Sequence, residues 1–125
     1  MAETETVRRI VAPDRLRAFY WAMLDAVGLP RSDAEIVADC LLTADLRGVD
    51  SHGILHLGGY MQAIRDGWIN ALPDTRLIHE TPTTAVMEAD GGLGQIACVK
   101  AMEVAIGGGW RSVTAPTAAR LPTTR

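Results

Sequence analysis

Apolar residues recur at helical spacing along four stretches of the chain, each bounded by glycine, proline or a capping residue. Leu16, Phe19, Tyr20, Met23, Leu24 and Val27 form one stripe, the face an amphipathic helix turns toward a core. Pro13 suits its first turn, where a missing N–H costs nothing, and Gly28 with Pro30 ends it. Ser32 and Glu35 have the spacing of a capping box. Ile36, Val37, Cys40, Leu41 and Ala44 continue a second helix over about 33–46, ending near Gly48. Ile54, Leu57, Met61 and Ile64 predict a third, starting near Ser51 with Asp50 or Ser51 as its N-cap and stopping at Gly67. Gly58-Gly59 conflicts with it, since each glycine costs roughly 1 kcal/mol against alanine. Close packing or a kink is therefore expected there. Ile96, Val99, Met102 and Ile106 mark a fourth helix over 95–106.

Between the third and fourth helices the period changes. Thr75–Glu80 and Thr84–Met87 are short β-leaning runs around Thr81-Pro82-Thr83, which suits a hairpin. Asp90-Gly91-Gly92-Leu93-Gly94 is a glycine-rich turn. Val7–Val11 can enter a sheet or pack as an arm. The pattern predicts a mostly α chain with a short β-hairpin, an α+β class. After Gly107-Gly108-Gly109 periodicity stops, and no acidic residue follows Glu103. Residues 107–125 are therefore expected to be a poorly ordered tail.

Composition narrows the function classes. The chain has 125 residues, enough for one modest core, with 48% hydrophobic and 22% charged residues. A net charge of −3 argues against a nucleic-acid partner. No apolar run is long enough to span a bilayer, and the polar, acidic Met1–Thr6 is no signal peptide. Cys40 and Cys98 fall on apolar helix faces and are expected as buried free thiols, consistent with a cytoplasmic location.

The polar chemistry concentrates at Ala44–Gly53, between the second and third helices. His52 near a helix start is favoured in its neutral form by the dipole, which suits proton transfer. Its alternative role is to cap the helix or bond Asp50. Ser51 beside it is not expected to form a catalytic pair, because adjacent side chains seldom aim at each other. His56 lies four residues on, but Gly53 stands where a zinc-protease motif needs glutamate, so no metal is expected. His79 reads as a surface residue. Gly92-Leu93-Gly94-Gln95-Ile96-Ala97 matches a dinucleotide fingerprint in form, but lacks an acidic ribose partner about twenty residues on. A tight turn and helix start is the simpler reading.

Ala44-Asp45-Leu46-Arg47-Gly48-Val49-Asp50-Ser51-His52-Gly53 resembles the signature of the type 2 malate/L-lactate dehydrogenase family. The resemblance continues through Leu57 and Tyr60, Gly67, Ile69-Asn70, Asp90–Gln95, Ala101-Met102 and Ala105-Ile106. It implies hydride transfer between NAD or NADP and a small 2-hydroxy or 2-keto acid, on a non-Rossmann fold, in a homodimer. It implies that His52 is the catalytic proton donor or acceptor and that Ser51, His56 and Tyr60 line the substrate pocket. No cofactor-binding residue is assigned.

Two departures qualify the resemblance. His56 stands where the family commonly has an arginine suited to gripping a carboxylate. From Gly107 the family pattern, including a second histidine motif, is not found. The expectation is thus an N-terminal helical region with the start of a cofactor domain over residues 1–106, and an aberrant 107–125 tail of the kind a frameshift near residue 107 produces. Such a chain spans about the first third of a family member and is expected to be inactive. A non-enzymatic helical interaction module is the alternative.

Overall fold

Proline opens the first helix. In the computed structural model, which describes residues 9–109 and 112–119, α1 spans Pro13–Ala26 with Pro13 in its first turn. It buries Tyr20 and Leu24, packs Leu16 and Met23 at the core edge, and leaves Phe19 largely exposed. Residues 9–11 neither join the sheet nor pack as an arm; Ile10 is fully exposed. Helix α2, Arg31–Leu46, starts two residues earlier than the spacing predicts, with Pro30 at its N-cap. The capping box does not form. Ser32 lies inside the helix, and Glu35 instead pairs with Arg31 at 2.9 Å, one turn away.

Helix α2 is the centre of the helical layer, because α1 and two later helices, α3 (Ile54–Arg65) and α4 (Gly94–Gly108), all pack on it. Val37, Ala38 and Leu41 are fully or almost fully buried. Cys40 and Cys98 are both exposed, contrary to the expectation of buried thiols. Each lies at the edge of its helix's apolar stripe rather than within it. Partial burial, then the Asp39 charge and the neighbouring Cys98 thiol, push the Cys40 pKa up.

The third helix does not begin at Ser51. Asp50–His52 forms a single 3-10 turn, Gly53 interrupts, and α3 runs Ile54–Arg65. Gly58-Gly59 produces neither a kink nor close packing: both face open space on a continuous helix. Strands β1, Arg76–Glu80, and β2, Thr84–Glu88, form the expected antiparallel hairpin. Asp90, expected to act as turn chemistry, takes positive φ and ties the turn together. Its carboxylate accepts hydrogen bonds from Asn70 Nδ2 and the Asp74 backbone N–H, both at 3.0 Å.

Helix α4, Gly94–Gly108, runs two residues beyond the predicted end, and Gly109 closes it with φ +68°. Its buried face is Ile96, Ala97 and Ala101, while Met102 and Ile106 are exposed. That differs from the stripe expected from the sequence. Of the segment that follows, residues 112–119 are described. Ser112–Thr114 forms β3, which pairs parallel with β2, so the sheet order is β1-β2-β3. Thr117 Oγ1 accepts the Ala89 N–H at 2.7 Å, and the Ala119 N–H reaches the Gly92 carbonyl at 2.8 Å. Threonine and serine suit an edge strand, and absence of helical periodicity does not by itself imply absence of order. Residues 110, 111 and 120–125 of the expected tail lie outside the described residues.

Candidate functional site

The polar stretch after α2 is held from below by one carboxylate. Asp45 continues the Val37–Leu41 stripe by one turn, so its side chain enters the half-buried layer rather than solvent. Its Oδ2 accepts a short hydrogen bond from the buried Tyr20 hydroxyl, and its Oδ1 accepts the Ile54 backbone N–H at 3.0 Å. Asp45 therefore does from a distance what Asp50 or Ser51 was expected to do locally: it caps α3. Burial first, then the hydrogen bond and charge of Asp45, push the Tyr20 phenol pKa well up. A Cβ at Gly53 would sit 1.8 Å from Asp45 Oδ1, so the glycine is required by that carboxylate.

Above this support the predicted site residues come together. Gly48, at φ +72°, reverses the chain after α2, and the 3-10 turn then lifts Ser51 and His52 to the surface. Ser51 Oγ lies 2.9 Å from His52 Nδ1, so the two neighbours do touch, contrary to expectation. With Nδ1 engaged, Nε2 of His52 is the nitrogen free for proton transfer. His52 bonds Ser51 rather than Asp50.

His56 and Tyr60 follow at successive turns of α3. The His52 and His56 rings are 5.5 Å apart edge to face, and the His56 and Tyr60 rings are stacked at 5.5 Å with a 12° interplanar angle. The row ends at Gln95, whose Nε2 donates to the Tyr60 hydroxyl at 2.8 Å. Beside it lies an open cavity of about 300 Å³ lined by Tyr60, Ile69, Leu93, Gly94, Gln95 and Ala119. A larger groove, about 510 Å³, follows α4 and β3 but is mostly apolar and contains none of the row. His79 is exposed on β1, away from the row.

Tyr20, Asp45, Gly53 and Gln95 were not singled out as site residues from sequence. Asp45 carried a signal, as a carboxylate in register with an apolar stripe. Gln95 carried none, since its partner is 35 residues earlier.

The residues present do not build a dinucleotide cradle. Gly92 is required by packing, because a Cβ there would lie 2.7 Å from Pro73 Cγ. The loop's Gly91 N–H and Gly92 carbonyl are taken by Thr117 and Ala119. Among the described residues, no three His, Cys, Asp or Glu side chains cluster as metal ligands, and no helix is long and apolar enough to cross a membrane.

The family model described as malate/L-lactate dehydrogenase matches residues 11–113. The match continues past Gly107, where the sequence pattern had been expected to depart. The malate dehydrogenase of Pyrococcus horikoshii is 45% identical over 96 residues, covering 77% of this chain and 27% of that protein. The L-sulfolactate dehydrogenase of Methanocaldococcus jannaschii is 42% identical over 97 residues, covering 78% and 28%. The solved structure of the Pyrococcus horikoshii malate dehydrogenase superposes with a TM-score of 0.77 at 41% identity, over 86% of this chain and 32% of that one. The chain thus spans under a third of the length of the relatives it matches.

Proposed function

Because the chain belongs to the malate/L-lactate dehydrogenase family, a family of NAD(P)-dependent dehydrogenases, we propose that its exposed row is the substrate side of a 2-hydroxy acid dehydrogenase site. The observation that carries this reading is the convergence of Ser51, His52, His56 and Tyr60 on one side of α3. His52 Nε2 takes the hydroxyl proton when a 2-hydroxy acid is oxidised, and returns it when the keto acid is reduced. Ser51, on Nδ1, fixes the ring's orientation and tautomer. His56 and Tyr60 hold the substrate carboxylate.

Hydride transfer is the chemistry that a nicotinamide supplies when bound. The described residues build no cradle for it, so this chain by itself is expected to bind a 2-hydroxy acid without turning it over. A paired copy of the chain and a cytoplasmic setting belong to the same reading. The alternative of a non-enzymatic interaction module draws on the exposed apolar side chains of α3 and α4.

Titration of the chain with L-malate, followed by the NMR resonances of the row, tests the proposal, with glycerol as a neutral control. Malate is expected to shift His52, His56 and Tyr60, and His52→Ala and Tyr60→Phe are expected to weaken it. Binding that ignores these variants sinks the reading, and NADH-dependent reduction of oxaloacetate by the isolated chain sinks the expectation of no turnover.

A further inference from the structure

The row has a direction built into it. A tyrosine hydroxyl has one hydrogen to donate and lone pairs to accept. At Tyr60 a lone pair is filled by Gln95 Nε2, at 2.8 Å. The amide donor cannot also accept, so the phenol's own hydrogen must go elsewhere. Among the described residues no hydrogen bond donated by that hydroxyl is found, and Tyr60 lines the cavity of about 300 Å³. The arrangement is held on both sides. His56 stacks on the Tyr60 ring at 5.5 Å, and Gln95 sits between the buried Leu93 and Ile96 at the start of α4.

We infer that Gln95 is a positioning residue: it holds the Tyr60 hydroxyl as a hydrogen-bond donor facing the ligand, and so selects ligands that present acceptor oxygens, above all a carboxylate. The inference rests on the proposed role of Tyr60 in ligand binding. It adds that the polarity of the contact is set by α4, which follows the β-hairpin in the chain. A ligand offering only donors at this position would face the phenol hydrogen and gain no bond.

A double-mutant cycle on the 125-residue chain tests this, using L-malate and NMR titration with Gln95→Met, Tyr60→Phe and the pair. Methionine keeps the length of glutamine and removes its donor without adding charge. Gln95→Met is expected to weaken malate binding about threefold to tenfold, the size of one neutral hydrogen bond, and to have no further effect once Tyr60 is Phe. Tyr60→Phe is expected to move the Gln95 side-chain amide resonance in the absence of ligand. Two outcomes overturn the inference while leaving the Tyr60 reading intact: Gln95→Met leaves affinity unchanged, or weakens it equally in the Phe background, which is a merely structural role. If Tyr60→Phe itself leaves malate affinity unchanged, or the wild-type chain shows no malate-dependent shifts, the proposed site falls and the inference with it. Unchanged backbone amide spectra verify that the variants remain folded.

Discussion

Asp45 joins two helices through a single side chain, and this sets what individual substitutions do. Tyr20→Phe removes the donor on Oδ2 while keeping the ring that fills the core, so it leaves a half-buried carboxylate oxygen without its partner. The expected cost is about 1–3 kcal/mol, read as a lowered midpoint in urea denaturation. The pH dependence follows from the raised Tyr20 pKa. In the unfolded chain the phenol ionises near its ordinary value of 10.0, while the folded state keeps it protonated at higher pH. Its contribution is therefore fully present below that value and is lost as pH rises from there toward the folded pKa. The wild-type chain is expected to show this alkaline loss of stability, and Tyr20→Phe to flatten it. Gly53→Ala would place a Cβ 1.8 Å from Asp45 Oδ1. That oxygen is held by the Ile54 N–H and cannot simply swing away, so a lower melting temperature and altered Ser51 and His52 resonances are expected.

At the scale of elements, two links hold α4 and the 112–119 segment against the elements before them. Lys100 Nζ on α4 meets Asp33 on α2 at 3.2 Å, and the Asp33 side chain is only 7% exposed. Lys100→Met leaves that carboxylate buried without its cation. Because the lysine is itself partly in solvent, the expected loss is about 1–3 kcal/mol, below that of a fully buried pair. The second link is at Glu88, whose pKa is lowered chiefly by a hydrogen bond from Thr117, then by the Asp90 N–H, with a smaller contribution from Arg76. A lowered carboxylate pKa contributes stability above its unfolded value and loses it as pH falls through the folded one. Acidification into and below the carboxylate range should therefore loosen the 112–119 segment from the hairpin. Hydrogen exchange at Ala89 and Ala119 is expected to accelerate there, and Thr117→Val to weaken the pH dependence.

For the whole molecule, large apolar side chains are exposed on most elements, including Phe19 on α1, Leu46 on α2, Leu55 on α3, Ile78 on β1 and Ile106 on α4. Leu55 is 72% exposed and Ile106 75% exposed, and Met102 and Ile106 line the groove between α4 and β3. A helix apolar on more than one side suits the interior of a larger assembly, in keeping with relatives of which this chain matches only 27% and 28%. The isolated chain is expected to self-associate with rising concentration in sedimentation experiments. Ile106→Glu should reduce that association while leaving the helical circular dichroism unchanged.

Sequence periodicity determined the four helices, the hairpin and the place of the polar turn, because each rests on local spacing and on glycine or proline stops. Spacing also suggested that His52 and His56 share one face, since residues four apart on a helix do, although His52 sits in the 3-10 turn before α3 rather than in it. Tertiary structure decided the rest. The start of α3 is set by Asp45 of another helix rather than by the neighbouring Asp50 or Ser51. The fate of Cys40 and Cys98 depends on which edge of each stripe meets a partner. The β3 strand exists because β2 offers it an edge, which no periodicity within residues 112–114 could announce. Gln95 joins the row only when tertiary packing brings the start of α4 to Tyr60, residues 35 apart in sequence. Local spacing encodes which face a residue occupies; long-range packing decides what that face meets.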